Sequence, residues 1–269
     1  MNKIVSLCKR RGFVFPGSEI YGGLANTWDY GPLGSQLKKN IKDSWWKTFV
    51  ERRQDIVGID GSILMNPKVW EASGHVETFN DPLVEDKVTH KRYRADHLIQ
   101  ELTGKNVDGK SLEELAGMIQ SLGLKSPDGN PLTAPRQLSG MFETTAGAAD
   151  GDQVIYLRPE TAQAIFVNFK NVLDTTRMRL PFGIAQIGKA FRNEITPGNF
   201  TFRTLEFEQM EIEYFLEEQD WERLFDSWAD TMEAWGKKIG LRGDKIHRLE
   251  VAKDALAHYS KRTIDFEFD

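Results

Sequence analysis

The chain has 269 residues, 40% hydrophobic and 28% charged, with a formal net charge of −5. That size allows one large core or two modest ones, and the composition is that of a globular chain rather than a disordered one. The acidic balance excludes a protein whose whole surface attracts nucleic acid, so any RNA contact needs a local patch or further sequence.

No apolar run approaches the roughly 20 residues of a membrane span, so no membrane association is expected. The N-terminal "MNKIVSLCKRRGFVFPG" is basic but lacks an apolar stretch of signal-peptide length, and a cytoplasmic location is the expectation. Cys8 is the only cysteine, and His75, His90, His97, His247 and His258 are scattered without i, i+4 pairing. Neither an intrachain disulfide nor a protein-built zinc site is expected.

In chain order, "YGGLANTWDYGPLG" reads as a glycine-rich loop. Residues 34–53 space Leu37, Ile41, Trp45 and Phe49 four apart, which predicts one helical stripe. "DIVGIDGSILMNPKVWEASGH" predicts a strand ending near Pro67 and then a short helix. Residues 101–150 change texture. Ser111 with Glu114 forms a capping box ahead of a short helix, and Pro127-Asp128-Gly129 forms a turn, so this stretch reads as an inserted subdomain.

"VIYLRPE" predicts a strand entering a helix whose first turn holds Pro159 and Glu160, with Ile165, Phe166, Phe169 and Leu173 following. Residues 182–215 predict an antiparallel strand pair about Pro197-Gly198. Residues 220–240 predict a helix with Trp221, Leu224, Phe225, Trp228, Met232, Trp235 and Ile239 on its core face. "TIDFEFD" alternates like a strand. Strands joined by turns with helices clustered between them predict an α+β fold on a largely antiparallel sheet.

Gly183 to Lys189, "GIAQIGK", imitates a P-loop, but Ala190 stands where a magnesium-binding hydroxyl belongs and no helix follows. No glycine fingerprint joins a strand to a helix, so a Rossmann site is unsupported.

Strand geometry explains "FRNEITPGNFTFRTLEFEQMEIEYF" better. Side chains two apart share a face, so Arg192 and Glu194 point one way. Leu205, Phe207, Gln209, Glu211 and Glu213 form one row, and Glu206, Glu208, Met210, Ile212 and Tyr214 form the other. A ring in line with an amide and carboxylates suits a substrate with a flat apolar end and a cationic end. Arg192 and Arg203 flank the turn, where forked donors suit phosphate oxygens. The competing reading is a surface hairpin with cross-strand salt bridges, which leaves the ring unexplained.

"FRNE", a turn, and "FRTLEFEQMEIEYF" resemble motif 2 of the class II aminoacyl-tRNA synthetases, over about residues 187–215. "RRGFVFPGSEIYGGLANTWDYGPLG", "SGHVETFNDP", "KRYRADHL", "LRPETAQAIFVNFKNVL" and "LPFGIAQIGKAFRNEITPGNF" are together similar to the homodimeric glycyl-tRNA synthetases. The resemblance implies an antiparallel sheet flanked by helices, incomplete at its C-terminal end. Motif 3 and an anticodon-binding domain are not matched, and the chain is expected to be a truncated piece, weakly active or inactive alone.

It implies an ATP site of Arg192, Asn193, Glu194, Phe202, Arg203, Thr204, Leu205, Glu206 and Phe207. In that site Arg192 meets the α-phosphate, Glu194 the adenine amino group, Arg203 the phosphate tail and Phe207 the adenine face. It implies a glycine site of Arg94, Glu160, Phe207, Glu208, Gln209, Met210 and Glu211, with Arg92 competing for the place of Arg94. The implied activity is glycine activation by ATP, with Mg2+ carried on its phosphates, and transfer to tRNA(Gly) by a homodimer. The alternatives are another class II ligase, for proline, threonine or serine, and a non-catalytic module that binds a partner or RNA. Two stretches depart from the family pattern: Ala164 stands where glycine is expected, and "SGMFETTAG" (139–147) receives no role.

Overall fold

The computed structural model describes residues 1–107, 109–147, 153–195, 198 and 200–269. In chain order it contains α1 (Asn2–Arg10), β1 (Val14–Pro16), β2 (Trp28–Tyr30), α2 (Pro32–Trp46), β3 (Ile56–Gly58), α3 (Pro67–Ala72) and α4 (His75–Thr78). Then come β4 (Asn80–Glu85), β5 (Arg92–Arg94), α5 (Ala95–Thr103), α6 (Leu112–Ser121), β6 (Arg136–Ser139), β7 (Glu143–Ala146) and β8 (Gln153–Tyr156). The last part comprises α7 (Ala162–Thr176), β9 (Phe182–Phe191), β10 (Glu206–Phe215), α8 (Trp221–Lys238), β11 (Ile246–Glu250) and β12 (Ile264–Phe268). The chain divides into two compact units, residues 1–35, 60–167 and 187–209 in one, residues 36–59, 168–186 and 210–269 in the other.

In the first unit, β1 pairs antiparallel with β2. The stretch expected as loop therefore contains a strand, because Trp28-Asp29-Tyr30 supplies a short alternation that pairs with Val14–Pro16. β4 is the centre of a sheet ordered β5-β4-β6. One core joins Val84 of β4, Ala95, Leu98 and Ile99 of α5, Leu115 of α6, and Val107 and Leu132. Residues 101–139 thus pack on a sheet that begins upstream of them. The capping box forms as read, with Ser111 Oγ accepting from Glu114 N–H at 3.2 Å and Glu114 accepting from Ser111 N–H at 2.9 Å. The turn at Pro127-Asp128-Gly129 also forms, closed by Gly129 N–H to Ser126 O at 2.8 Å. Buried Asp86 gathers this region, accepting from Ser126, Asn130 and the amides of Val88 and Thr89.

The helix expected to hold Pro159 and Glu160 in its first turn starts later, at Ala162. The backbone just before it is occupied elsewhere: Thr161 N–H donates to Gln209 Oε1 at 3.1 Å, and Pro159 O accepts from Arg192. Glu160 is therefore outside the helix, and compensation of the helix dipole does not account for it. Phe166 is half exposed, whereas Ile165 and Val172 are buried.

In the second unit, α2 runs into a π-helical segment, Lys47–Glu51. Trp45 and Phe49 are buried as the spacing predicts, while Leu37 at the start of the stripe is exposed. β3 ends at Gly58, well short of Pro67. A Cβ at Gly58 would lie 2.2 Å from the Trp46 ring, so only glycine lets the strand lie this close to α2. The sheet order is β10-β9-β3, and β3 runs parallel to β9. The other described pairings are antiparallel, in keeping with the largely antiparallel expectation, and the long crossover between β3 and β9 permits this parallel pair. The P-loop imitation lies within β9 as plain strand.

Phe169, Phe182 and Phe215 cluster with ring centroids 4.5–5.6 Å apart. The expected face of α8 turns inward with Met210, Ile212 and Tyr214 around an apolar cavity of about 380 Å³. β11 and β12 form an antiparallel pair, as the alternation of "TIDFEFD" implies. Among the described residues no helix is long and apolar enough to cross a membrane, and no group of three or more His, Cys, Asp or Glu could hold a metal ion.

Candidate active site

The site in the first unit is built where β9 stops. Phe191 N–H bonds to Arg158 O at 2.9 Å, Arg192 N–H to Leu205 O at 3.0 Å, and Glu194 N–H turns back to Arg192 O at 2.9 Å. Arg192 and Glu194 consequently sit past the strand end, and the shared face expected for them does not come from strand alternation. Of the expected turn, Gly198 pairs with Arg203, and Pro197 lies outside the described residues.

Arg192 is held by one internal bond, Nε to Pro159 O at 3.1 Å. Its guanidinium lies 5.7 Å from the Phe79 ring centre and 5.4 Å from that of Phe207. Rings on an arginine hold its plane while leaving the terminal N–H groups able to fork onto an oxyanion. Among the described residues no carboxylate is in ion-pair contact with Arg192. Phe207 is brought here by β10, whose row also places Gln209 against Thr161.

Glu160 lies 3.5 Å from His75 Nε2, and His75 in turn meets Ser73 Oγ through Nδ1 at 2.8 Å. The His75 bond holds the Glu160 carboxylate below its usual range against burial, and Gln163 and the Arg192 charge act in the same sense. The ring of His75 packs against Trp70 and Phe79, each 5.5 Å away. Gly74, at φ 78°, allows the reversal between α3 and α4 that points His75 inward. Arg158, almost wholly buried, braces the base by donating to the carbonyls of Lys189, Gly61 and Ser62 at 2.6, 2.7 and 3.3 Å.

Residues 142–268 match the family described as "tRNA synthetase class II core domain (G, H, P, S and T)". The whole chain is 52% identical to a glycine–tRNA ligase of Chlorobaculum tepidum and covers 62% of that protein. It is likewise 52% identical to glycine–tRNA ligases of Geobacillus kaustophilus and Acetivibrio thermocellus, covering 60% of each. The chain is thus similar to class II tRNA synthetases, in its core-domain match and along its whole length. It spans about three-fifths of the length of these curated relatives, 62% and 60%.

Against this class II core the remaining expected residues divide. Arg94 donates to Asp96 at 2.6 and 3.1 Å and to Asp81 at 3.0 Å, and the charge of Glu194 reaches it. Arg92 instead lies 3.7 Å from Glu85 on a more exposed part of the surface, and Arg94 is the one on which the Glu194 charge acts. Arg203 lies 3.9 Å from Glu194, and Phe202 is 84% exposed. Asn193 is spent on structure: its N–H and Nδ2 donate to Gly140 O and Ser139 O at 2.8 and 3.1 Å. The stretch 139–147, read without a role, thus anchors Asn193 through its first two positions.

Thr204 Oγ1 donates to Glu206 O at 2.7 Å, and Leu205 contributes the carbonyl that Arg192 N–H meets. Glu206 pairs with Lys189, and Glu208 lies beside Tyr30, whose phenol is pushed up by burial and by that carboxylate. Met210, in the second unit, lines the apolar cavity. The side chains of Glu206, Glu208 and Met210 therefore do not join the Phe207 row, as strand parity requires. Glu211, also in the second unit, shares the parity of Glu213 and Phe215. His75, Phe79 and Gln163 were missed by sequence reasoning. Their only signal was membership of "SGHVETFNDP" and "RPETAQ", blocks that carried the resemblance.

Proposed function

We propose that this protein activates glycine with ATP and transfers the glycyl group to tRNA(Gly), acting as a cytoplasmic homodimer with Mg2+ carried on the ATP phosphates. The glycine carboxylate attacks the α-phosphorus, pyrophosphate leaves, and the terminal adenosine hydroxyl of the tRNA then takes the glycyl group. Such a displacement needs positioning and charge neutralisation more than a protein acid or base.

The observation that carries this reading is Arg192, held against Phe79 and Phe207 and by Pro159 O, with its terminal N–H groups outside any ion pair among the described residues. Arg192 would meet the α-phosphate, Phe207 would stack on adenine, and Glu194 with Arg203 would take the adenine amino group and the phosphate tail. Glu160 would hold the glycine ammonium group, Gln209 would shape the pocket, Arg192 would also meet the glycine carboxylate, and Arg94, tied to Asp81 and Asp96, would brace the wall. The names of the relatives support glycine over the other amino acids that the class II core serves.

Calorimetry with a sulfamoyl analogue of glycyl-adenylate tests the reading on the 269-residue chain. Saturable binding is expected for the glycyl analogue, with prolyl, threonyl and seryl analogues excluded by size. Equal binding of the prolyl analogue would overturn the assignment to glycine.

A further inference from the structure

We propose that His75 and Gln163 complete the seat for the substrate's amino group, His75 by positioning the Glu160 carboxylate and Gln163 by supplying a second acceptor beside it. This rests on the glycine-activation reading above.

The hydroxyl of Ser73 is 2.8 Å from His75 Nδ1 and 3.3 Å from Trp70 O, so it can donate to the ring or to the carbonyl. An ionised Glu160 facing Nε2 at 3.5 Å requires a proton there, because two lone-pair bearers repel. When Ser73 donates to Nδ1, the neutral ring with its proton on Nε2 meets that requirement. The Trp70 and Phe79 rings pack against it and limit its rotation. Glu160 is thus aimed by a chain that begins at Ser73 and touches no substrate, which makes His75 a positioning residue.

Gln163 reaches Glu160 from the other side. It is the second residue of α7, only 9% exposed, and its amide hydrogen-bonds to the carboxylate. Its Oε1 is buried and has no hydrogen-bond partner among the described residues. That oxygen shares a carbon with the donating nitrogen, so it lies beside the same carboxylate. A buried acceptor next to a negative charge calls for a compact cation with several N–H donors, and a primary ammonium has three. Thr161 N–H already takes one acceptor position of Gln209 Oε1, whereas both of those on Gln163 Oε1 are unused among the described residues.

Two probes separate this role from simple scaffolding: the glycyl sulfamoyl-adenosine analogue and its acetyl counterpart, which lacks the amino group. In calorimetry on the whole chain, His75→Ala and Gln163→Leu should each weaken the glycyl probe about tenfold and leave the acetyl probe within about twofold. His75→Gln, which keeps an N–H within reach of Glu160, should restore most of the loss. His75→Asn, which reaches only the Ser73 side, should not. Circular dichroism melting identifies any variant that fails to fold, and the Gln and Asn variants then carry the His75 test.

Equal losses for both probes, or no loss for either, would overturn the proposal. So would equal affinity of the unaltered chain for the two probes, since the amino group would then have no seat. Failure of the unaltered chain to bind either probe would instead remove the glycine-activation reading, and this inference with it.

Discussion

Arg192 in the first unit and Arg53 in the second each lie against two aromatic rings, yet only one of them is consumed by its own surroundings. Arg53 sits 4.6 Å from the Trp228 ring and 6.0 Å from Tyr214, and forks onto Asp55 at 2.9 and 2.6 Å. Tyr214 donates to the same carboxylate at 2.7 Å. Burial pushes Asp55 up, but the bonds from Arg53 and Tyr214 outweigh it and hold the carboxyl below its usual range. The Tyr214 phenol is raised to about 12 by burial and by Asp55. Among the described residues Arg192 has the rings but no carboxylate in ion-pair contact, and gives one N–H to a backbone carbonyl. An arginine with its own acid is a structural strut, whereas one held by rings alone keeps its charge available to a ligand.

The comparison can be broken most directly at Arg192. Arg192→Ala should lower affinity for the glycyl-adenylate analogue by about 100-fold, the loss of two charge-assisted hydrogen bonds, while the melting temperature stays nearly unchanged. A large drop in melting temperature with unaltered affinity would make Arg192 a strut like Arg53.

Asp55→Asn should do the opposite, costing about 2 kcal/mol of folding stability in urea titration with analogue affinity unchanged. The sign with pH follows from the lowered carboxyl. Because the folded value lies below the unfolded one, the Asp55 contribution is full above the unfolded value near 3.8. It is lost as pH falls through the folded value. The gap between the chain and Asp55→Asn should therefore be constant near neutrality and close on acidification. A gap that widens in acid would contradict it.

The smallest expected effect is at Phe207. Phe207→Ala removes one of the two rings on Arg192 and the proposed adenine platform, so analogue binding should weaken about tenfold. An equal loss with a probe lacking the adenine base would show that the ring serves Arg192 alone.

Much of this was legible in the chain itself. The period-2 pattern of "EFEQMEIEYF" separates the Phe207 and Gln209 row from the row that meets Lys189, Tyr30 and the apolar cavity. The capping box at Ser111, the inward stripe of α8 and the rejection of "GIAQIGK" as a P-loop rest equally on local chemistry. Errors collected where a local rule met a distant partner. Glu160 looked like a first-turn acid until the backbone on either side of it was taken up by Gln209 and Arg192. Arg192 and Glu194 looked like strand neighbours until the strand ended at Phe191. Asn193 and the 139–147 stretch could not be linked from sequence, since their bonds join residues more than fifty positions apart.

By itself the sequence determined the periodicities, caps and turn chemistry, because these depend on neighbours within a few residues. Tertiary structure alone decided which charges are spent and which are free. It put Asp55 on Arg53, two acids on Arg94, and rings without an acid on Arg192. It also brought His75 and Gln163 to the two sides of Glu160. The physical reason is that the worth of a charge depends on desolvation and on partners a few ångströms away, and those partners come from segments that only the folded chain brings together.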